Sequence, residues 1–343
     1  GLQTGSGTEQ LPGVIEEAQW NEVYRMASRH GILGIIWDGI RNLSAESLIP
    51  RTLKLGWAYN TEIIGQRYDR QKKTAIEMAE LLAREGISVL VFKGLSMSMY
   101  YPVPEHRECG DIDIWLFGQA EKGNRVAKAA GAKVEKENSK HDIIYFHGVP
   151  FENHKELTSE LLNSRNRLIN KDLITRVKDD RTQPLFATDT LRTPSRVFDE
   201  LYIPVHAAGH FVVEGISLRH LCDWALIVQA NGGFIDMALF DKLRLGQFVR
   251  LLNTLCHEWF GIEIPLESRH RNRQLAARIG ADILNYGSSP TTDSRWKLLQ
   301  LKFRRFFTRK WCYPIVGGNF YLATIRSSIA HLKSPHDLFK GDH

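Results

Sequence analysis

The chain has 343 residues, 43% of them hydrophobic and 24% charged, which excludes global disorder and leaves room for two compact units or one core with helical additions. A formal net charge of +6 and an isoelectric point near 9.1 suit an anionic ligand, but the excess is too modest for this length to imply nucleic-acid binding. No run of about 18 apolar residues marks a transmembrane segment, the polar residues 1–7 lack the apolar stretch of a signal peptide, and Cys109, Cys222, Cys256 and Cys312 stand apart with no CxxC pair, so the expected compartment is the reducing cytoplasm.

Residues 12–43 carry apolar side chains at helical spacing, among them Trp20, Val23, Tyr24, Ala27, Ile32 and Ile36, and residues 53–82 continue in that manner up to Gly86, a residue suited to a helix C-terminus. The period then changes. Residues 87–92, Ile-Ser-Val-Leu-Val-Phe, are short and rich in β-branched residues between two glycines, the pattern of a buried strand. A short helix is expected over 96–101, stopped by Pro102 and Pro104, then a strand over 111–117. Residues 119–130 read as a helix and 132–137 as a strand, and 141–146 with 149–154 read as a hairpin turning at His147-Gly148.

Four or five strands with flanking helices define an α+β chain: a small mixed sheet with helical N-terminal and C-terminal parts. The polar, basic residues 165–194 read as a linker or surface excursion. Helices return over 199–229, 237–259, 272–284 and 294–310. The division expected from this reading is 1–74 helical, 75–190 catalytic core and 191–343 helical, with no internal repeat or low-complexity tract.

The chemistry is concentrated between residues 93 and 154. In a strand, side chains at i and i+2 share a face, so Asp111 and Asp113 point one way while Ile112 and Ile114 point into a core. Two such carboxylates repel unless a cation, solvent or a shared proton relieves them, and Mg2+ takes carboxylate oxygens together with phosphates. Glu152 on the 149–154 strand is the candidate for the third carboxylate that a two-metal transfer needs, with His154 on the same face. Lys93-Gly94-Leu95-Ser96 joins a strand to a helix N-terminus, where free N–H groups favour phosphate. Gly94 permits close backbone approach, Ser96 offers a hydroxyl and Lys93 a cation. Arg107 either reaches the phosphates or holds its loop by pairing with Glu105 or Glu108, and His106 reads as a solvated loop residue.

These residues together resemble the nucleotidyltransferase superfamily related to DNA polymerase β, and within it the uncharacterised nucleotidyltransferase family. The pattern is Lys93-Gly94, Tyr101-Pro102, Arg107, Gly110-Asp111-Ile112-Asp113-Ile114, Phe151-Glu152-Asn153-His154 and the helical run from His206 to Ala225, across roughly residues 75–230. Here Gly94 is followed by Leu95 and Ser96 where the superfamily usually has glycine or serine at once, and the gap to Asp111 is longer than its common form. The resemblance implies a mixed-sheet catalytic domain in which Asp111, Asp113 and Glu152 bind Mg2+ and the Gly94 turn holds triphosphate.

In the C-terminal helices, His206 and His210 lie one turn apart, as do Arg219 and Asp223. HxxxH can bind zinc, but without an HExxH glutamate or a cysteine partner the favoured role is contact with nucleotide or acceptor. Arg219 and Asp223 read as a structural pair. The basic and aromatic residues 296–311 suit RNA or a membrane surface, yet their helical spacing favours an amphipathic helix with a solvated basic face.

The expected activity is transfer of a nucleoside monophosphate from a nucleoside triphosphate such as ATP to an acceptor hydroxyl of a small molecule, RNA or protein, with Mg2+ as cofactor and Asp113 or Glu152 as local base. The alternatives are a phosphotransferase, for which no HRD-like stretch or Walker loop is present, and a nucleotide- or partner-binding module without catalysis, such as an inactive relative or the neutralising half of a two-component system.

Overall fold

The computed structural model describes residues 15–136, 141–158, 165–177, 182–287, 304 and 307–325. Two compact units divide the chain, Gly1–Leu157 with Arg176–Asp199, and Thr158–Thr175 with Glu200–His343.

The first unit opens with α1 (Glu17–Arg29), α2 (Leu33–Asn42) and the long α3 (Arg51–Arg84). The helical spacing of residues 12–43 is thus carried, among the described residues, by two helices. His30 and Gly31 end the first, with Gly31 at φ 64°. Then follow β1 (Val89–Val91), α4 (Gly94–Met97), β2 (Ile112–Trp115), α5 (Ala120–Ala129), β3 (Lys133–Lys136), β4 (His141–Phe146) and β5 (Val149–His154). The hairpin is the expected one: His147 and Gly148 both take positive φ, 47° and 76°, the pattern of a two-residue turn matched to strand twist.

The sheet has seven strands in the order β3-β4-β5-β2-β1-β7-β6, where β6 is Gln183–Leu185 and β7 is Thr188–Thr193. Parallel pairs β2/β5 and β1/β7 stand among antiparallel ones, so the sheet is mixed and the class α+β. The linker reading of 165–194 is overturned. Its second half supplies β7, which pairs in parallel with β1 through Val89↔Leu191 and Leu90↔Arg192. Its first half is α6 (Asn166–Val177), with Ile169, Leu173 and Val177 buried at four-residue spacing. The run 178–181 lies outside the described residues. Two expected domain boundaries also fall inside elements, 74/75 within α3 and 190/191 within β7.

One face of the sheet forms the core. Val89, Val91, Ile112, Ile114, Ile144, Phe146, Val149 and Phe151 pack with Tyr68, Ala75, Met78, Ala79 and Leu82 of α3 and Ala127 of α5. The period-2 alternation of β2 and β5 therefore leaves Asp113, Glu152 and His154 on the other face.

The second unit is helical, with most of α6, most of α7 (Arg196–Val213), α8 (Leu218–Ala230), α9 (Met237–Lys242), α10 (Gly246–Phe260), α11 (Arg273–Leu284) and α12 (Cys312–Ile315). The run expected over 199–229 is broken between α7 and α8, where Gly215 takes φ 100°, a backbone that a side chain would strain. The buried Arg309 joins α7 to α11, donating to the Phe211 carbonyl at 2.8 Å and to Asp282 at 2.9 and 2.8 Å. Most of the expected 294–310 helix, and with it most of the basic and aromatic stripe, lies outside the described residues. Among the described residues no helix is long and apolar enough to cross a membrane.

Candidate active site

Strand register builds the site. Asp113 and Glu152 are direct neighbours on the parallel strands β2 and β5, with Trp115 opposite His154 two residues on. Asp111 stands at the foot of β2, just outside the ladder, close enough to Asp113 and Glu152 to feel their charges. Three carboxylates from two strands thus converge on one face of the sheet. Cationic groups gather around them: Lys93 Nζ lies 2.5 Å from Asp113 Oδ1, and His154 Nε2 lies 2.8 Å from that same oxygen and 3.2 Å from Glu152 Oε2. His141 on β4, paired with His154 in the hairpin register, brings Nε2 to 3.7 Å from Glu152 Oε1.

The electrostatics divide the acids. Burial, and then the charges of Asp113 and Glu152, push the Asp111 carboxyl up to about 7. Burial also works to raise Glu152, but the His154 hydrogen bond and the charges of Lys93, His141 and His154 outweigh it and hold the group well below the usual carboxylate range. For His154, burial and the Lys93 charge work downward, yet its bonds to Asp113 and Glu152 win and raise the imidazole above its usual value, its Nε2 reaching both carboxylates.

A divalent cation fits this donor set. Three convergent carboxylates give the oxygen ligands that Mg2+ takes, and the repulsion that raises Asp111 is the penalty such an ion relieves. His141, Glu152 and His154 also offer ligand atoms within 4.8 Å of one another. Lys93 and His154 both bind Asp113 Oδ1, so an ion at that oxygen has to displace one of them.

The turn ahead of β2 is strained. Lys93, between β1 and α4, takes φ 59° and ψ −144°, a region that L residues seldom enter and that costs about 1–3 kcal/mol where it persists. This conformation accompanies the Lys93–Asp113 contact. At Gly94 a Cβ would collide with Cys109 Sγ, and that thiol donates to the Asp111 carbonyl at 2.7 Å. Gly94 therefore lets the turn and the aspartate loop approach each other. Ser96 is buried and shares a hydrogen bond of 2.5 Å with Thr193 of β7, so its hydroxyl docks α4 on the sheet.

The loop before Asp111 is braced by the N-terminal helices. Gln71 of α3 donates to the Cys109 carbonyl at 3.1 Å, and Glu108 accepts the Leu33 backbone N–H of α2 at 3.2 Å. His106 is not a solvated loop residue: its Nδ1 lies 2.8 Å from Asp38, and its Cβ packs so closely on Gly34 that a side chain there would clash. Arg107 is buried and donates to the Glu108 carbonyl at 3.1 Å, which favours the loop-holding role over phosphate contact.

His206 and His210 belong to the second unit and cluster with each other and with His220, a residue that the sequence pattern did not single out. Two further features escaped sequence reasoning. His141 is one, although counting back from the His147-Gly148 turn pairs it with His154. The other is a buried network behind the site: Asn153 donates to Asn124 at 2.8 Å, and Asn124 and Lys155 donate to Asp142 at 2.7 and 2.8 Å. It pins α5 to the hairpin that carries Glu152.

A mixed sheet that sets an Asp-x-Asp strand beside a glutamate strand, behind a lysine-glycine turn, is consistent with a nucleotidyltransferase fold. The chain belongs to the uncharacterised nucleotidyltransferase family, whose model matches residues 16–261, the span that includes the whole sheet and α1 through α10. Its general activity class is therefore nucleotidyl transfer. No curated protein and no solved structure matches the chain.

Proposed function

We propose that this protein moves a nucleoside monophosphate from a nucleoside triphosphate to an acceptor hydroxyl, with Asp111, Asp113 and Glu152 as the ligands of Mg2+. The observation that carries this reading is the convergence of the three carboxylates beside a lysine held in a strained turn. When bound, the ion neutralises phosphate charge and lowers the pKa of the attacking hydroxyl. The chain's own contribution is positioning. Lys93 is one cation able to pair with a phosphate oxygen, and His154 keeps Asp113 and Glu152 oriented. Glu152, its side chain 23% exposed against 6% for Asp113, is the member of that pair an acceptor can reach to pass its proton. Attack of the acceptor oxygen on the α-phosphorus forms the new P–O bond and expels pyrophosphate.

The test is to incubate the protein with α-labelled ATP, CTP, GTP and UTP, Mg2+ and cell extract, following labelled product and pyrophosphate. Asp113→Asn should abolish both while keeping the circular dichroism of the parent chain. Turnover that survives in a folded Asp113→Asn variant defeats the proposal, and triphosphate binding without pyrophosphate release makes the protein a binding module instead.

A further inference from the structure

The second unit carries a histidine cluster to which the proposed transfer assigns no step. His206 and His210 are one turn apart on α7, and their Nε2 atoms face each other at 3.2 Å. His220, in the first turn of α8, joins them because the Gly215 turn folds α8 back beside the end of α7. Its ring centroid lies 5.7 Å from that of His206 and 5.1 Å from that of His210, and one ligand atom from each of the three lies within 4.8 Å of the others. All three rings are partly open, the His210 side chain 36% exposed, so an ion can enter.

The geometry points to a tris-histidine site for a divalent transition metal of the zinc class, built from residues other than the three carboxylates. Imidazole nitrogens about 2.0–2.1 Å from a tetrahedral zinc stand roughly 3.3 Å apart, the spacing that His206 and His210 already have. Nitrogen ligands select zinc-class ions over magnesium. An outer shell is also in place. His210 Nδ1 lies 2.5 Å from Glu214 Oε1, and a carboxylate on the far nitrogen fixes the ring and directs the Nε2 lone pair outward. His220 Nδ1 accepts the Ser217 backbone N–H at 3.1 Å and lies 3.0 Å from Ser217 Oγ; for Nε2 to serve as the ligand atom the ring hydrogen has to sit on Nδ1, which then donates to Ser217 Oγ and gives up the backbone bond. His206 coordinates once its hydrogen sits on Nδ1. Three protein ligands leave a fourth position for water or an oxygen ligand.

Co2+ titration of the chelator-treated full chain tests this. The site should take one equivalent with the visible absorption of imidazole-bound Co2+, and Zn2+ should bleach it. His206→Ala and His220→Asn should remove that absorption, the asparagine keeping an acceptor for the Ser217 backbone N–H that His220 caps at 3.1 Å. Asp113→Asn should leave it intact, and Glu214→Gln should weaken Co2+ binding about 10-fold or more. No absorption in the parent chain overturns the proposal. So does absorption that survives in folded His220→Asn, or that disappears in Asp113→Asn, since both place the ion elsewhere. If His206→Ala fails to fold, His220→Asn and Glu214→Gln decide.

Discussion

Asp111 shows how the candidate site trades stability for chemistry. Its carboxyl is pushed up to about 7 from an ordinary 3.8 by burial and by its two acidic neighbours. Below the ordinary value both the folded and the unfolded chain hold that proton, and the group costs nothing. As pH rises to about 7 the unfolded chain releases the proton first, so stability is progressively lost and the whole penalty is present above that pH. Glu152 works in the opposite sense: held low in the folded state, it adds stability above its ordinary value and loses it as pH falls. Asn cannot ionise. In the presence of chelator at pH 8, Asp111→Asn should therefore melt above the parent chain by at least about 2 °C, with the gap closing toward pH 4. Excess Mg2+ should narrow or reverse the gap at pH 8, because only the parent keeps all three ligands and binding stabilises the folded state. Melts by differential scanning calorimetry at both pH values decide, and a variant that melts lower at pH 8 with chelator contradicts the assigned repulsion.

At the scale of elements, the turn at Gly94 and the loop at Cys109 are locked by contact. A Cβ at Gly94 would strike Cys109 Sγ, and displacing that thiol breaks its bond to the Asp111 carbonyl. Gly94→Ala should thus cut nucleotidyl transfer by roughly 10-fold or more while changing the melt little. Adding Cys109→Ala, which vacates the space, should recover part of the loss, a coupling that a double-mutant cycle on pyrophosphate release measures. Additive effects would mean that the two positions act independently. This coupling was not readable from the sequence, because residues 94 and 109 meet only through the folded loop. Local pattern did reveal the Asp111–Asp113 alternation and the hairpin, whose two-residue turn sets every pair from Phe146↔Val149 to His141↔His154. The strand β7 was missed for a physical reason: in Thr-Asp-Thr-Leu-Arg-Thr only Leu191 is apolar, so its place in the sheet rests on backbone pairing with β1 rather than on a hydrophobic face. The helix α6 had a legible stripe in Ile169, Leu173 and Val177, but its basic surroundings read as a linker. His220 was illegible because only the turn between α7 and α8 brings it to His206 and His210.

At the scale of the whole molecule, the chain visits its units in an interrupted order. It leaves the first after Leu157, returns at Arg176 to lay down β6 and β7, and leaves again after Asp199. The sheet is therefore unfinished until residue 193 has been added. Leu191 is fully buried, and it pairs with Val89 on the strand that leads directly into the Lys93 turn. Ending the chain at residue 190 removes both β1–β7 pairs, bares an apolar edge of β1 and deletes a leucine whose burial is worth about 2 kcal/mol. It also removes Thr193, the partner of Ser96 that seats α4. A fragment of residues 1–190 should therefore lack a cooperative thermal transition and should aggregate, whereas the full chain melts cooperatively. Circular dichroism melts of the two at equal concentration make the comparison. A sigmoidal melt for the fragment would show that β7 merely lies against a sheet already complete without it, and that the Lys93 turn takes its strained form independently of the strand beside it.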